Sequence, residues 1–412
     1  MGVVTGIVMA FQFGTNWSVL SERTGAIQGP LLGYEAFTAF LLEASFFGVV
    51  MFGRQRVAPW FYLLSCVMVA LGTTLSSFWI MANNSWMQVP VGHAIIDDKI
   101  VPTDWIAIIG GWVFHVRWLH MLLAAYLTTA MVVAATGAWY LLRRRFMSEG
   151  RLMLRYGLGL VGVLIPLQLV IGHLNGDYTQ LHQPSKFTAI EGRWQTEQPA
   201  RLILFAWPDP QNERNLFEIA VPALGSFIDT GNFTSMEPGI VTIPPDERPP
   251  IAVPFFGFRI MVGIGLLMLG LSWLGLALWA TGRLDDSRRF LQLTALSFPI
   301  GFVAVIAGWY TAEVGRQPWV VFGLLRTNDA HTPTLSGGEV LTTLIGYTLV
   351  YGVVYSFGFY YIARLIWEGP GAPTGRIEGG TGMRPMAAAG DADTATGSSV
   401  RVARPSAATP KE

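Results

Sequence analysis

The sequence has little charge and almost no cysteine, and these shortages exclude several classes of protein. Charged residues make up 13% of the 412-residue chain, about half the share of a soluble domain. Basic and acidic residues balance at 27 each, so no basic surplus is left to bind nucleic acid. The single cysteine, Cys66, excludes an intrachain disulfide and a cysteine-ligated metal site. The high hydrophobic share, 52%, indicates an integral membrane protein.

Long apolar runs predict an all-α integral membrane protein, a multi-helix transmembrane bundle. A run of about 20 apolar residues is long enough to cross a bilayer as a helix. Seven complete spans are predicted, at 33–52, 58–82, 105–142, 153–173, 254–280, 290–314 and 339–366. Residues 1–14 are apolar too, but they form only a partial span. We therefore expect a chain that lacks the N-terminal first helix of its bundle.

Arginines between the predicted spans fall on alternate connections. They are Arg54, Arg56, Arg143, Arg144, Arg145, Arg283, Arg288 and Arg289. The positive-inside rule places these connections, and the C-terminus after Arg364, in the cytoplasm. The other connections then face outward.

The chain divides into four predicted regions. N-terminal transmembrane helices occupy 1–173, an outer loop 174–253, and C-terminal transmembrane helices 254–366. Residues 367–412 are rich in Gly, Ala, Pro, Thr and Ser and cannot bury enough apolar surface to fold. They are predicted to form a disordered cytoplasmic tail.

Two acidic residues lie inside the first complete span. Glu35 and Glu43, in YEAFTAFLLEASFFG, are eight residues apart and so about 12 Å apart along one broad helix face. They are either carboxylates hydrogen-bonded to neighbouring helices or members of a proton relay.

Further along, His120 and Met261 lie in the outer halves of their helices. Each has a plain interpretation, His120 as a hydrogen-bonded core residue and Met261 as a filler of apolar gaps. A His/Met pair is also a known way to fill both axial positions of a haem iron. Arg259, two residues from Met261, needs a counter-ion, and a haem propionate would serve.

Two other stretches carry charge at the outer side. In GWYTAEVGRQPW, Glu313 lies near the end of a membrane-length helix and needs a partner. In HQPSKFTAIEGRW, Lys186 and Glu191 are five residues apart. Their charge pattern alone is that of an ordinary solvated loop.

Five stretches together resemble subunit I of the cytochrome bd quinol oxidases. In chain order they are FQFGTNW, EAFTAFLLE, WMQVP, FRIMV and GWYTAEVGRQPW. The resemblance covers about residues 2–366, and the outer loop looks like that of the short-loop branch. It implies a terminal oxidase that oxidises quinol at the periplasmic face and reduces O2 to water, with protons taken up from the cytoplasm.

The resemblance assigns six residues to haem binding. They are His120, Met261, Arg259, Glu313, Trp309 and Arg316. The first two match the axial ligands of a low-spin haem b, with Arg259 beside it. Glu313 matches the iron ligand of a high-spin haem b, with Trp309 and Arg316 around it. The family's third haem, haem d, is expected as the O2 site.

Other residues match the proton pathway and the quinol site. Glu35 and Glu43 correspond to the family's acidic pair, with Ser76 and Asn84 as polar residues on the next helix. Lys186 and Glu191 correspond to the quinol-binding pair. The partners implied are subunit II, quinol, O2, the lipid bilayer and a small single-helix accessory subunit. The implied location is the bacterial cytoplasmic (inner) membrane, with the C-terminus in the cytoplasm.

Three departures from the family pattern leave alternatives open. The helix that carries the family's haem d histidine is missing, Ala10 replaces a glutamate, and Gly172 is followed by His173 where the family has aspartate. The chain is therefore either an oxidase subunit or a haem b quinol-binding membrane cytochrome that cannot reduce O2. A transporter or channel lined by Glu35, Glu43 and Glu313 is a third hypothesis.

Overall fold

Seven helices in the described part of the chain are long and apolar enough to cross a membrane. The computed structural model describes residues 2–54 and 56–370, so the predicted disordered tail lies outside the described residues from 371 onward. The candidate spans are Ser18–Phe52, Pro59–Gln88, Trp105–Leu142, Met147–His182, Ala252–Ala280, Arg288–Val314 and Gly337–Glu368. The predicted all-α membrane class and the number of complete spans are confirmed.

The individual helices differ from the spans in their bounds. They are α1 (Gly2–Thr15), α2 (Ser18–Tyr34), α3 (Leu41–Phe52), α4 (Pro59–Gln88), α5 (Trp105–Gly110), α6 (Trp112–Leu142), α7 (Met147–His182), α8 (Pro184–Glu191), α9 (Leu224–Thr230), α10 (Ala252–Ala280), α11 (Arg288–Leu296), α12 (Ile300–Val314) and α13 (Gly337–Glu368). A π-helical segment, Glu35–Phe40, joins α2 to α3. The predicted partial N-terminal span corresponds to α1, which is 14 residues long.

Two of the predicted spans are too short. The first begins at Ser18 rather than at residue 33, because Glu22, Arg23 and Pro30 lower the hydropathy of a stretch that is nonetheless helical. The helix α7 also continues to His182, past the predicted start of the outer loop at 174. Polar helix ends of this kind extend beyond the apolar window and leave no hydropathy signal.

The largest core lies where α6 and α7 pack together with α10 and α11. Small residues let the first two helices approach closely. A Cβ added at Gly157 would lie 2.6 Å from the Ala130 carbonyl oxygen and 2.8 Å from Ala134 Cβ. Leu154, Leu158 and their neighbours fill the remaining space and are almost fully buried. Interior packing of this density tolerates little added volume.

A second core joins the start of the chain to the outer loops. It includes Trp86, Phe114 and Val321, from α4, α6 and the strand β5. The strands form three two-stranded hairpins, β1 (His93–Ile96) with β2 (Lys99–Pro102), β3 (Leu202–Asp209) with β4 (Arg214–Val221), and β5 (Trp319–Val321) with β6 (Leu325–Arg326). All three hairpins lie in connections predicted to face outward.

These outer connections bond to one another. The Phe322 amide donates to the Met87 carbonyl at 3.0 Å, and Arg326 pairs with Asp246 at 2.7 Å. The Thr332 amide reaches the Asn16 carbonyl, also at 3.0 Å. Stretches that the charge pattern assigns to the same side of the membrane thus form one folded cap over the helix ends.

The close approach at Gly157 gives a direct test of the α6–α7 packing. We expect Gly157→Val to destabilise the protein by about 1–3 kcal/mol, because its branches would press on the Ala130 and Ala134 backbone. The measurement is the apparent melting temperature of the detergent-purified protein. Gly159→Val is the matched control, because a Cβ at Gly159 meets nothing within 4 Å. Equal melting temperatures for the two variants would contradict this account of the packing.

Candidate functional site

Glu313, near the C-terminal end of α12, is held by three side chains. Arg316 Nη2 donates to its Oε2 at 2.5 Å. Asn84 Nδ2 donates to its Oε1 at 2.8 Å, and Gln88 Nε2 reaches the same oxygen at 3.3 Å. The Glu313 side chain is nevertheless 32% exposed. The Glu313 side chain is therefore still partly accessible to a further ligand.

Arg117 adds a second positive charge to this group. Its Nη2 donates to Asn84 Oδ1 at 2.6 Å, and its Nε donates to Ser85 Oγ at 3.1 Å. Asn84 thus joins Glu313 to Arg117, which lies one turn before His120 on α6. The sequence analysis assigned no role to Arg117, although an arginine inside an apolar helix is itself a signal of function.

Lys186 of the outer loop reaches the same group of residues. It is 2% exposed, and its Nζ donates to Gln88 Oε1 and, at 2.7 Å, to Gln183 Oε1. Burial, together with Arg117 and Arg316 nearby, holds the pKa of Lys186 well below its usual value. The solvated-loop interpretation of this segment is wrong.

His120 faces α7. Gln168 Nε2 donates to the His120 carbonyl at 3.1 Å and lies 3.4 Å from His120 Nε2. One turn further along α7, a Cβ at Gly172 would lie 3.2 Å from His120 Cε1. The buried His120 Nδ1 has no hydrogen-bond partner among the described residues.

Met261 and Arg259 lie on α10. A Cβ at Gly308 would lie 2.8 Å from Met261 Sδ, so glycines flank both His120 and Met261. Arg259 donates to main-chain carbonyls, those of Ile203, Ile190, Phe255 and Glu191. It forms no ion pair with any acid in the described part of the chain, and its predicted counter-ion stays a prediction. Trp309 follows Gly308 and packs partly buried on the second core.

The two membrane acids both lie against α4. Ser76 Oγ donates to Glu35 Oε1 at 2.8 Å, and Glu35 is 5% exposed. A Cβ at Gly72, one turn from Ser76, would lie 3.3 Å from Glu43 Cβ. The Glu43 carboxylate forms no hydrogen bond with the described residues. Asn84, grouped with Ser76 in the sequence analysis, instead bonds to Glu313.

Comparison with known proteins agrees with this arrangement. The family described as cytochrome bd terminal oxidase subunit I matches residues 1–370. The chain belongs to this family. It is 34% identical to the cytochrome bd ubiquinol oxidase subunit 1 of Bacillus subtilis, over 90% of this chain and 81% of that protein. It is 32% identical to the cytochrome bd-II ubiquinol oxidase subunit 1 of Escherichia coli, over 90% and 85%.

A solved structure supports the same assignment. The bd oxidase from Geobacillus thermodenitrificans superposes with a TM-score of 0.80 at 27% identity, covering 90% of this chain and 84% of that one. The family consists of quinol:oxygen oxidoreductases that carry haem and work with a second subunit in the bacterial membrane. The transporter hypothesis is therefore set aside.

The side chains of this bd oxidase subunit fit the haem groups that the family implies. The buried His120 Nδ1 lacks a partner within the described residues, and glycines at 172 and 308 let His120 and Met261 pack directly against the neighbouring helices. Arg316 has two buried nitrogens, Nε and Nη1, without a hydrogen-bond partner in the part of the chain described. Such donors suit an acidic substituent of a haem. The partly exposed Glu313 side chain would hold iron through its carboxylate.

Lys186 and Glu191 are separated within α8. Lys186 contacts the Glu313 group, whereas burial and the nearby Asp229 raise the pKa of Glu191. Five residues on an α-helix correspond to roughly 140° of rotation. The predicted quinol-binding pair therefore belongs to two different polar networks.

The second network is centred on Arg193, which is 2% exposed. Arg193 Nη2 lies 2.9 Å from Asp229 Oδ2, and Nη1 lies 3.8 Å from Glu237 Oε2. Burial raises the pKa of both carboxyl groups. One buried cation thus holds two buried acids close to Glu191.

The departure at His173 is partly compensated. His173 Nε2 lies 3.9 Å from Asp177 Oδ1, one turn further along α7. An acidic group is therefore present near the position where the family pattern has aspartate. Asp177 carried no signal in the sequence, because residues 174–253 were interpreted as a loop.

We expect Arg193→Met to cost about 3–5 kcal/mol at neutral pH, because two buried carboxylates lose their cation. Because burial raises both pKa values, the two acids become neutral before the pH has fallen to their ordinary values of 3.8 and 4.5. The loss of stability caused by Arg193→Met should therefore be larger at pH 8 than at pH 5. Limited proteolysis of the outer loop at both pH values measures it.

The control for this prediction is Arg214→Met. Arg214 pairs with Asp209 at 3.7 Å but is 63% exposed, and exposed pairs contribute little. If Arg193→Met lost the same amount of stability at both pH values, Asp229 and Glu237 would not be the cause of that loss.

Proposed function

We propose that this subunit oxidises quinol at its outer, periplasmic face and passes the electrons towards O2, with protons taken up from the cytoplasm. The observation that carries the proposal is that side chains from three separate parts of the chain meet in one place. Lys186 from the outer loop, Glu313 from α12 and Arg117, one turn from His120, belong to one hydrogen-bonded group.

The quinol end is formed by the short helix α8. Lys186 is buried and bonded only to neutral amide oxygens, so its amino group can donate a hydrogen bond to a quinol oxygen. The Glu191 carboxylate forms no hydrogen bond within the described residues, and its raised pKa suits a group that accepts a proton. We assign quinol binding to Lys186 and proton acceptance to Glu191.

Haem supplies the one-electron chemistry when it is bound. His120 and Met261 would hold a low-spin haem b through its iron, and Glu313 would hold a high-spin haem in the same way. Asn84 and Gln88 orient the Glu313 carboxylate, while Arg316 balances its charge. A carboxylate held in this way stays in one position and keeps its negative charge throughout turnover.

Proton delivery is assigned to the acids on the first span. Glu35 is buried and accepts a hydrogen bond from Ser76, and Glu43 lies about two turns nearer the cytoplasmic side in the predicted orientation. Uptake from the cytoplasm and release outside would move charge across the membrane without a separate pump. Each elementary charge moved against 100 mV stores about 2.3 kcal/mol.

The assignment of haem ligands is tested with reduced-minus-oxidised spectra of the purified complex with subunit II. We expect His120→Ala and Met261→Ala each to abolish the low-spin b signal, because one axial position would be lost. Glu313→Ala should remove a high-spin signal and leave the low-spin signal in place.

Met268→Leu is the matched control, since Met268 is a buried core methionine on the same helix and a Leu preserves its volume. An unchanged low-spin signal in Met261→Ala would overturn the ligand assignment. In the unmutated complex, a low-spin signal without a chlorin band would favour the alternative, a quinol-binding cytochrome that cannot reduce O2.

The proton route makes a separate prediction. Glu35→Gln should lower quinol-driven oxygen uptake by about 10²-fold, because an amide cannot carry the proton. The haem spectrum should stay as in the unmutated protein. Glu22→Gln is the control, because Glu22 is an exposed acid on the same span. Unimpaired oxygen uptake in Glu35→Gln would exclude Glu35 from the route.

A further inference from the structure

Gln88 lies between the two charged residues at the centre of the proposed function. It is the last residue of α4 and is fully buried. It belongs to the WMQVP stretch, which the sequence analysis used only as a signature of the family. No role in haem or quinol binding was assigned to it there.

The two ends of the Gln88 amide have opposite partners. Nε2 donates to Glu313 Oε1 at 3.3 Å and to the Ala312 carbonyl at 3.4 Å. Oε1 accepts from Lys186 Nζ and, at 3.1 Å, from Gln183 Nε2. The amide thus turns its donor end to the Glu313 carboxylate and its acceptor end to the Lys186 amino group.

Charge fixes this orientation. A flipped amide would place its oxygen against the Glu313 carboxylate, which is a repulsive contact, and would lose the hydrogen bond that Lys186 Nζ donates to Gln88 Oε1. Buried amides of this kind are costly to leave unpaired. The orientation of Gln88 therefore depends on both charged residues, and each of their positions depends on Gln88.

The surrounding backbone leaves little freedom for rearrangement. A Cβ at Gly315, which follows Glu313 by two residues, would lie 2.8 Å from Lys186 Cγ. The Gln88 carbonyl accepts a further hydrogen bond from Gln183 Nε2 at 3.0 Å. The packing is therefore so close that a shift of Lys186 requires a shift of Gln88 and of the end of α12.

We propose that Gln88 is a positioning residue that couples Lys186 of the outer loop to the Glu313 carboxylate. The proposal rests on the proposed function, in which Lys186 contacts quinol and Glu313 binds iron. Occupation of the quinol site would then be transmitted to the Glu313 carboxylate through one polarised amide. Gln88 touches neither substrate nor iron, so it acts only through these two side chains.

A double-mutant cycle in the complex with subunit II tests this coupling. The variants are Lys186→Met, Gln88→Met and the two combined. The readouts are the midpoint potential of the high-spin haem and the KM for quinol. Methionine matches the length of glutamine and lacks both polar contacts.

Gln88→Met should raise the KM for quinol about tenfold, since a hydrogen bond to a charged group is lost. It should also lower the midpoint potential, because a carboxylate with fewer donors favours the oxidised metal. Lys186→Met should shift the potential in the Gln88 background and by less than half as much in the Gln88→Met background. Equal shifts in both backgrounds would overturn the proposal, since charge acting through space needs no amide.

A second variant tests the contacts of Gln88 with Lys186 and with Glu313 separately. It also keeps the proposal testable if Gln88→Met folds poorly. Gln88→Glu keeps an acceptor for Lys186 but sets a second carboxylate against Glu313. We expect a nearly normal KM with a lowered midpoint potential. Unchanged potential in Gln88→Glu would contradict the coupling.

Two controls distinguish this proposal from the function on which it rests. Gln28→Leu removes another buried amide, which bonds Thr24 away from this group, and should change neither readout. Glu313→Ala tests the iron ligand itself. If it left the high-spin signal intact, the assignment of Glu313 would fail whatever the Gln88 variants showed.

Discussion

The arrangement of the outer half of the bundle depends on the charge of Glu313. Ionised side chains near the membrane are stable only with partners, and here three basic side chains surround one carboxylate. Arg316 pairs with it directly, Arg117 reaches it through Asn84, and Lys186 reaches it through Gln88. The excess of basic groups, together with two Arg316 nitrogens that have no hydrogen-bond partner within the described residues, favours a site for an anionic group such as a haem propionate.

One helix supplies most of the partners in this arrangement. Along α4, Ser76 bonds Glu35, Asn84 bonds Glu313, and Gln88 bonds Lys186. Twelve residues separate the first from the last, or about 18 Å of helix. Because α4 fixes these spacings, the acid assigned to proton delivery and the carboxylate assigned to iron keep a constant separation. A rigid helix is a better support for such a site than a loop would be.

The sequence was sufficient for the number of spans and for the residues with unusual charge. Hydropathy found each apolar window, and Glu35, Glu313 and Lys186 stood out because charge is rare in such windows. The hydrogen-bond partners of these residues could not be predicted. Asn84 could bond to either Glu35 or Glu313, and only the three-dimensional packing shows that it bonds to Glu313. Helix ends such as 174–182 were missed because polar residues outside the membrane carry no hydropathy signal.

The separation of Lys186 and Glu191 has a consequence for quinol oxidation. Electrons and protons leave a quinol together but must then travel in different directions. Lys186 faces the Glu313 group, whereas Glu191 faces the network of Arg193, Asp229 and Glu237 on the other side of α8. Because a helix turns about 140° in five residues, the spacing in the sequence itself sets these two directions. A spacing of four would place both side chains on one face, and the two routes would share one polar network.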